Sequence, residues 1–260
     1  MPTPRRLWPR LLRAGMARAA EGIMAKASLV IGGLTGLAAL ALAASALRSG
    51  ADPSTAAPFA ASLQAWGAGV LLCFAGSIRA FERDDADGWT ALMARHGFGQ
   101  TAYLGARVAG MAAWTLLMVA GGALLVGLVT LGGAHDAAGL VRALSAMLAA
   151  LAYSVTFAVA VAAISVATLA PRARGSGYLF LLLVLVVPAL VSDWTGQLVP
   201  AAWSDLVSVP GALDALRDSL HPSIDGARAV RAVAVLAAIT LGALVWARAQ
   251  LAVRERGRTP

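Results

Sequence analysis

Apolar runs of about 20 residues, recurring along the whole chain, constrain this sequence more than any other feature, because each matches a bilayer core about 30 Å thick. In lipid a helix satisfies its own backbone N–H and C=O groups, which an irregular chain cannot do. The runs fall near Ala27 to Leu47, Ala60 to Ile78, Val108 to Leu131, Val141 to Ala170, Gly177 to Val191 and Ala229 to Ala247. The fourth is long enough to tilt or project from the membrane. The fifth is short and contains Pro188, which removes a backbone donor and predicts a kink. Charged residues make up only 13% of the chain and hydrophobic residues 59%, against roughly 25% charged in soluble domains. The expected fold is all-α: a polytopic membrane protein with six transmembrane helices in a single domain spanning residues 1–260.

The net charge of +8 would suggest nucleic acid in a soluble protein. In this chain the basic residues sit between apolar runs, where they set orientation, so the expectation is no nucleic acid partner. With the N-terminus in the cytoplasm, the inner segments hold Arg5, Arg6, Arg10, Arg13, Arg18, Lys26, Arg79, Arg83, Arg95, Arg107, Arg172, Arg174, Arg248, Arg254, Arg256 and Arg258. The outer segments keep Arg48, Arg142, Arg217, Arg228 and Arg231. That bias, together with an even span number, puts both termini in the cytoplasm. Small residues at Ala41 to Ala46 resemble a signal-peptide cleavage region, but the preceding apolar stretch exceeds the typical 7–15 residue signal core, which favours a retained span. Arg outnumbers Lys 20 to 1, which reads as a GC-rich bacterial coding bias without structural meaning, and the expected location of the chain is a bacterial inner membrane.

Residues 1–26 read as an interfacial N-terminal amphipathic helix. Pro9 can open it, and Leu7, Trp8, Leu11, Leu12, Met16, Ala19 and Ile23 share one side, with Arg6, Arg10, Arg13 and Glu21 largely opposite. Arg18 falls on the apolar side. Inside the runs no ionisable residue appears, and Arg79, Arg107, Arg142, Arg231 and Arg248 lie at span ends where they can snorkel. Intramembrane ionisable groups are the usual hardware of proton relays, so their lack predicts that energy comes from outside the chain. Small residues four apart (Gly32 and Gly36, Ala65 and Gly69, Ser154 with Ala158 and Ala162) allow close helix approach, either within the chain or between copies. Cys73, the single cysteine, lies in an apolar run and excludes an intrachain disulfide.

The segment from Arg79 to Arg107, a cytoplasmic loop in this topology, carries the most information. Asp84, Asp85 and Asp87 crowd ahead of a short helix, where carboxylates can cap free amides. Trp89, Leu92, Met93 and His96 follow at helical spacing, and His96-Gly97-Phe98-Gly99 reads as a stop. An exposed Trp/Leu/Met stripe suits docking into a partner's groove, or else packing on the membrane surface or on the chain's own helices. Phe81-Glu82-Arg83, Gly88, Leu92-Met93, Tyr103 and Arg107 together resemble the second-to-third-span loop of permease subunits of bacterial ABC transporters of the type-2 class. The resemblance in topology covers nearly the whole chain, while the motif itself is degenerate and lacks the Pro-containing turn that often follows the aliphatic pair.

The resemblance implies that Gly88 to His96 is a coupling helix, with Glu82, Gly88, Trp89, Leu92, Met93 and His96 as ATPase-coupling residues. It further implies a cytoplasmic ATP-binding-cassette ATPase as partner, a second permease copy or homologous permease, and ATP with Mg held by the ATPase and not by this chain. Residues 192–228, with Trp194, Trp203, Pro200, Pro210 and Pro222, fit an extracytoplasmic re-entrant or surface segment. The same resemblance implies short outer half-helices there, between spans five and six.

No G-x-x-x-x-G-K-[ST] occurs and Lys26 is the only lysine, so the chain is not expected to be an ATPase or other enzyme. H-E-x-x-H and G-x-S-x-G are also missing, and neither catalytic nor metal residues are expected. Asp84-x-x-Asp87-Gly88-x-x-Ala91 resembles the start of the metal motif of CDP-alcohol phosphotransferases, but the later carboxylates of that motif are missing. The reading is therefore the permease subunit of an exporter that moves substrate through a dimer interface. The alternatives are a membrane phosphotransferase and a non-transporting scaffold or assembly factor.

Overall fold

The computed structural model describes residues 8–49, 55–171 and 174–256. Arg5, Arg6, Leu7, Arg172 and Arg258 lie outside the described residues, as do the side chains of Trp8, Arg174, Arg254 and Arg256. The described chain is built of helices: α1 (Trp8–Ala19), α2 (Ile23–Ser49), α3 (Ala56–Gln64), a π-helical turn (Ala65–Gly69), α4 (Val70–Ser77), α5 (Ala80–Ala86), α6 (Trp89–Arg95), α7 (Gln100–Gly132) and α8 (Ala137–Leu169). Then follow α9 (Arg174–Leu190), α10 (Ser192–Gly196), a 3-10 turn (Ala201–Leu206), α11 (Val209–Asp218) and α12 (Gly226–Arg256).

Five of these units are long and apolar enough to cross a membrane: α2, the continuous α3-π-α4 rod, α7, α8 and α12. The fifth apolar run of the sequence forms α9, whose 17 residues include Pro188 near its end. At 1.5 Å per residue α9 is about 25 Å long, short of the roughly 30 Å core, whereas the 33 residues of α7 and of α8 reach about 50 Å and must tilt or project. The long helices form where Ala, Leu and Val repeat without an interior proline. Asp136 caps α8 by accepting from the Gly139 N–H at 2.7 Å, and Ser208 caps α11 by accepting from Gly211.

The centre of the bundle is α7 against α8, with the α3-π-α4 rod beside them. About 61% of the best apolar window of α8 is buried, against 17% for α12 and 22% for α2, so the last two form the outer wall. The small residues serve packing within the chain. A Cβ on Gly32 would strike Met118, and one on Gly69 would strike Phe157. Gln64, buried in α3, wedges between α2 and α7, and with its amide turned toward α7 it donates to the carbonyls of Met118 (2.9 Å) and Val119 (3.0 Å). Gly36 and Gly122 leave room for this side chain, since a Cβ on either would overlap it. The π turn follows directly, where Trp66 meets Phe157 edge-on at 5.5 Å.

Cross-links identify two ends. At one, the Arg79 N–H donates to Leu169 O and the Phe81 N–H to Ala170 O, joining the start of α5 to the end of α8. At the other, Arg217 of α11 donates to Ser62 Oγ at 2.9 Å and Gly133 sits against Leu47. The segment 192–228 thus forms the short helices α10 and α11 with the 3-10 turn between them and runs into the start of α12; α11 buries Ala212, Leu213 and Leu216.

Helix α1 meets the expected amphipathic pattern, but its apolar face is occupied by protein. Leu11, Gly15 and Ala19 are buried, and Gly15 lies directly against Ala106 and Gly110 of α7. The two glycines bring the backbones into contact, and Trp114 Nε1 donates to Met16 O at 2.8 Å.

Candidate functional site

The loop between α4 and α7 becomes a compact helical knot fastened to α7. Ile78 ends α4 in an extended conformation, and Arg79 turns the chain with φ of 52°. A left-handed residue with a side chain costs roughly 1–2 kcal/mol. Two hydrogen bonds to the end of α8 hold the turn in place. Gly88, at φ of 71°, then separates α5 from α6. Gly97, at φ of 76°, ends α6: its N–H donates to Ala94 O and the Phe98 N–H donates to Met93 O, the paired closure of a Schellman motif.

The three aspartates do not cap α6, whose N-cap Gly88 has no side-chain acceptor. Asp84 is fully buried and accepts from Arg107 Nε at 2.7 Å and from Tyr103 Oη at 2.7 Å, with Arg107 Nη2 on its second oxygen. Asp85 accepts from Thr90 Oγ1 at 2.8 Å, and Asp87 accepts from Arg18. Each carboxylate is thus spent on a different neighbour, and those neighbours lie on three elements.

Arg107 does not snorkel. It is 2% exposed, its two-point ion pair with Asp84 is closed inside the fold, and its guanidinium carbon lies 5.7 Å from the centre of the Trp89 ring. Tyr103, one turn earlier on the same face of α7, packs against Trp89 at 5.4 Å and Phe81 at 6.0 Å. Burial and the nearby Arg107 charge lower the pKa of the half-buried Arg83, which donates to Gly76 O at 2.9 Å.

Arg18, the cation on the apolar side of α1, bridges Glu21 and Asp87 and so ties α1 to the α5–α6 junction. Burial pulls its pKa down, but the hydrogen bonds to Asp87 and Glu21 outweigh that and leave it raised. Helices α1, α5, α6 and the first turns of α7 form one interlocked unit.

The six loop residues singled out in the sequence separate into two groups. Trp89 and Met93 are buried, 8% and 5% exposed, so this part of the stripe packs on the chain's own helices. Their side of α6 closes over Tyr103 and Phe98, around a cavity of about 90 Å³ that Leu251 of α12 also lines. Leu92 is half exposed and His96 exposed, with His96 Nδ1 2.8 Å from Leu92 O. Glu82 is held by Arg79, whose Nε donates to it at 2.6 Å. Gly88 forms the turn ahead of α6.

The stripe spans about 100° of the helix, and the edge of the chain's own core runs through it. What the sequence reading missed is the Asp84–Arg107 pair. Its visible trace is Tyr103 and Arg107 four apart on one face of α7, aimed at an acid-rich loop.

Among the described residues no group of three or more His, Cys, Asp or Glu is placed to hold a metal ion. No protein family, curated protein or solved structure matches this chain.

Proposed function

We propose that the chain is the membrane-spanning permease subunit of a bacterial ABC exporter of the type-2 class, worked by a separate cytoplasmic ATPase that grips α6. The observation that carries this reading is the interlock. A short helix at one end of the bundle, α6, shows Leu92, Arg95 and His96 outward and packs through Trp89 on Tyr103 and Arg107 of the long apolar helix α7, while the preceding α5 is locked to α7 by the buried Asp84–Arg107 pair and its end is tied to α1 by Arg18. A push on α6 therefore moves the start of α7 instead of flexing a loop.

In this reading α9 is the fifth of six spans, both termini face the cytoplasm, and a second permease copy completes the transport path between protomers. The partner ATPase binds the ATP and Mg. The separate engagement of Asp84 by Arg107 and of Asp87 by Arg18 weighs against a phosphotransferase, which needs such carboxylates converging on a metal.

The test is affinity purification in mild detergent from the native host. An ATP-binding-cassette ATPase is expected to co-purify, and its recovery is expected to fall at least fivefold with Leu92→Glu or Arg95→Glu, whose side chains are exposed. Trp89→Ala is unsuitable because it opens the core. Recovery of no ATPase, or unchanged recovery in both variants, overturns the reading; metal-dependent turnover by the purified chain alone would favour the enzyme.

A further inference from the structure

The charge at the α1–α6 end is uneven in a way the fold makes specific. Among the residues whose side chains are described, its acids are Glu21, Glu82, Asp84, Asp85 and Asp87, and every one accepts a hydrogen bond from a neighbour. Arg18, Arg79 and Arg107 are consumed in the ion pairs. Arg10, Arg13, Lys26, Arg95 and Arg248 remain exposed, with no carboxylate at ion-pair distance among the described residues.

At the opposite end the charges balance more nearly. Arg217 is held by Asp214 and Asp218, and Arg228 by Asp205.

The unpaired cations are not scattered. Arg10 and Arg13 line the outward side of α1, which α7 holds at the level of Ala106 to Trp114. Lys26 follows in the first turn of α2, beside Ala25, which packs on Leu72 and Ala75 of the apolar rod. Beside them α1 exposes Leu12 by 37% and the first residue of α2, Ile23, is 85% exposed. On α12, Arg248 is preceded two residues earlier by the half-exposed Trp246.

Cations next to exposed aliphatic and tryptophan side chains, at the ends of apolar helices, suit a headgroup phosphate above and acyl chain below. A soluble anion would need the cations but would gain nothing from Leu12 and Ile23.

We propose that the outward side of α1 and the α1–α2 elbow bind anionic phospholipid, with Arg10, Arg13 and Lys26 as the phosphate contacts and Leu12 and Ile23 seated among the acyl chains. This does not rest on the transporter reading.

The full chain, reconstituted in nanodiscs of phosphatidylcholine containing phosphatidylglycerol, tests it by the phosphatidylglycerol enrichment of lipid that stays bound through detergent extraction. The wild type is expected to enrich phosphatidylglycerol over phosphatidylcholine. Arg10→Gln/Arg13→Gln is expected to lower that enrichment roughly five- to twentyfold, since each basic residue near an anionic surface is worth about fivefold. The control Arg217→Gln/Arg228→Gln, two cations at the other end already held by carboxylates, is expected to leave it within about twofold.

Circular dichroism verifies that both variants keep their helix. Equal retention of the two lipids by the wild type, or an equal loss in the control, overturns the proposal. Displacement of the lipid by millimolar inorganic phosphate would assign the cations to a soluble anion and overturn it as well.

Discussion

Replacing Arg107 with methionine tests the interlock at its centre. The variant keeps an unbranched apolar side chain but leaves Asp84, which is 0% exposed, with Tyr103 as its single strong donor. Removing one partner of a buried ion pair costs roughly 3–5 kcal/mol, because the remaining charge stays out of water uncompensated.

Asp84→Asn/Arg107→Met removes both charges, and the asparagine oxygen can still accept from Tyr103. Buried pairs replaced as a unit are often near neutral, so the double variant is expected to lose only about 1–2 kcal/mol and to be more stable than Arg107→Met alone. Tyr103→Phe, which deletes one hydrogen bond to a charged group, should cost about 1.5–3 kcal/mol.

The assay is equilibrium unfolding in mixed micelles by titration with a denaturing detergent, followed by circular dichroism. A loss below about 1 kcal/mol in Arg107→Met, or a double variant no more stable than that single one, would refute the claim that the pair is closed and dry.

Three further outcomes follow from local geometry. Gly110→Val forces a side chain into the backbone of Gly15, so α1 should detach at a cost of about 1–3 kcal/mol, read as faster tryptic cleavage at Arg10, Arg13 and Arg18. Gly97→Ala places a Cβ at φ of 76° and should lower stability by about 1–2 kcal/mol, whereas Gly33→Ala, facing open space at an ordinary φ, should be nearly silent in the same thermal melts.

Burial holds the Asp214 carboxyl above its usual range, against the pull of Arg217. Folding therefore favours its protonated form. That contribution is full below the unfolded value and is lost as pH rises through the raised one. The stability of Asp214→Asn relative to wild type should accordingly increase with pH across this window; a flat or falling difference in thermal midpoint would contradict the sign.

The apolar runs located the membrane-crossing helices to within a few residues where lipid alone sets the rule, as in α2 and the α3-π-α4 rod. They were less informative at α9, where 17 residues with Pro188 leave length and context in competition. In the loop, the His96-Gly97 stop was legible because positive φ is a local demand that glycine answers. The side of α6 that faces inward was not legible: Trp89 and Leu92 are both large and apolar, and nothing local distinguishes the one that finds Tyr103 from the one left outside.

By itself the sequence determined that the chain is helical and belongs in a membrane, because backbone satisfaction in lipid depends on the polarity of each segment in turn. It also determined the excess of cations at one end. Tertiary structure alone decided that Arg107 turns inward to Asp84 and does not reach outward to headgroups, and that Arg18 leaves the face of α1 to hold Asp87. Those choices join residues 23 and 69 positions apart. A charge takes whichever counter-charge the packed helices bring within reach, and that distance exists only once α1, α5 and α7 have met.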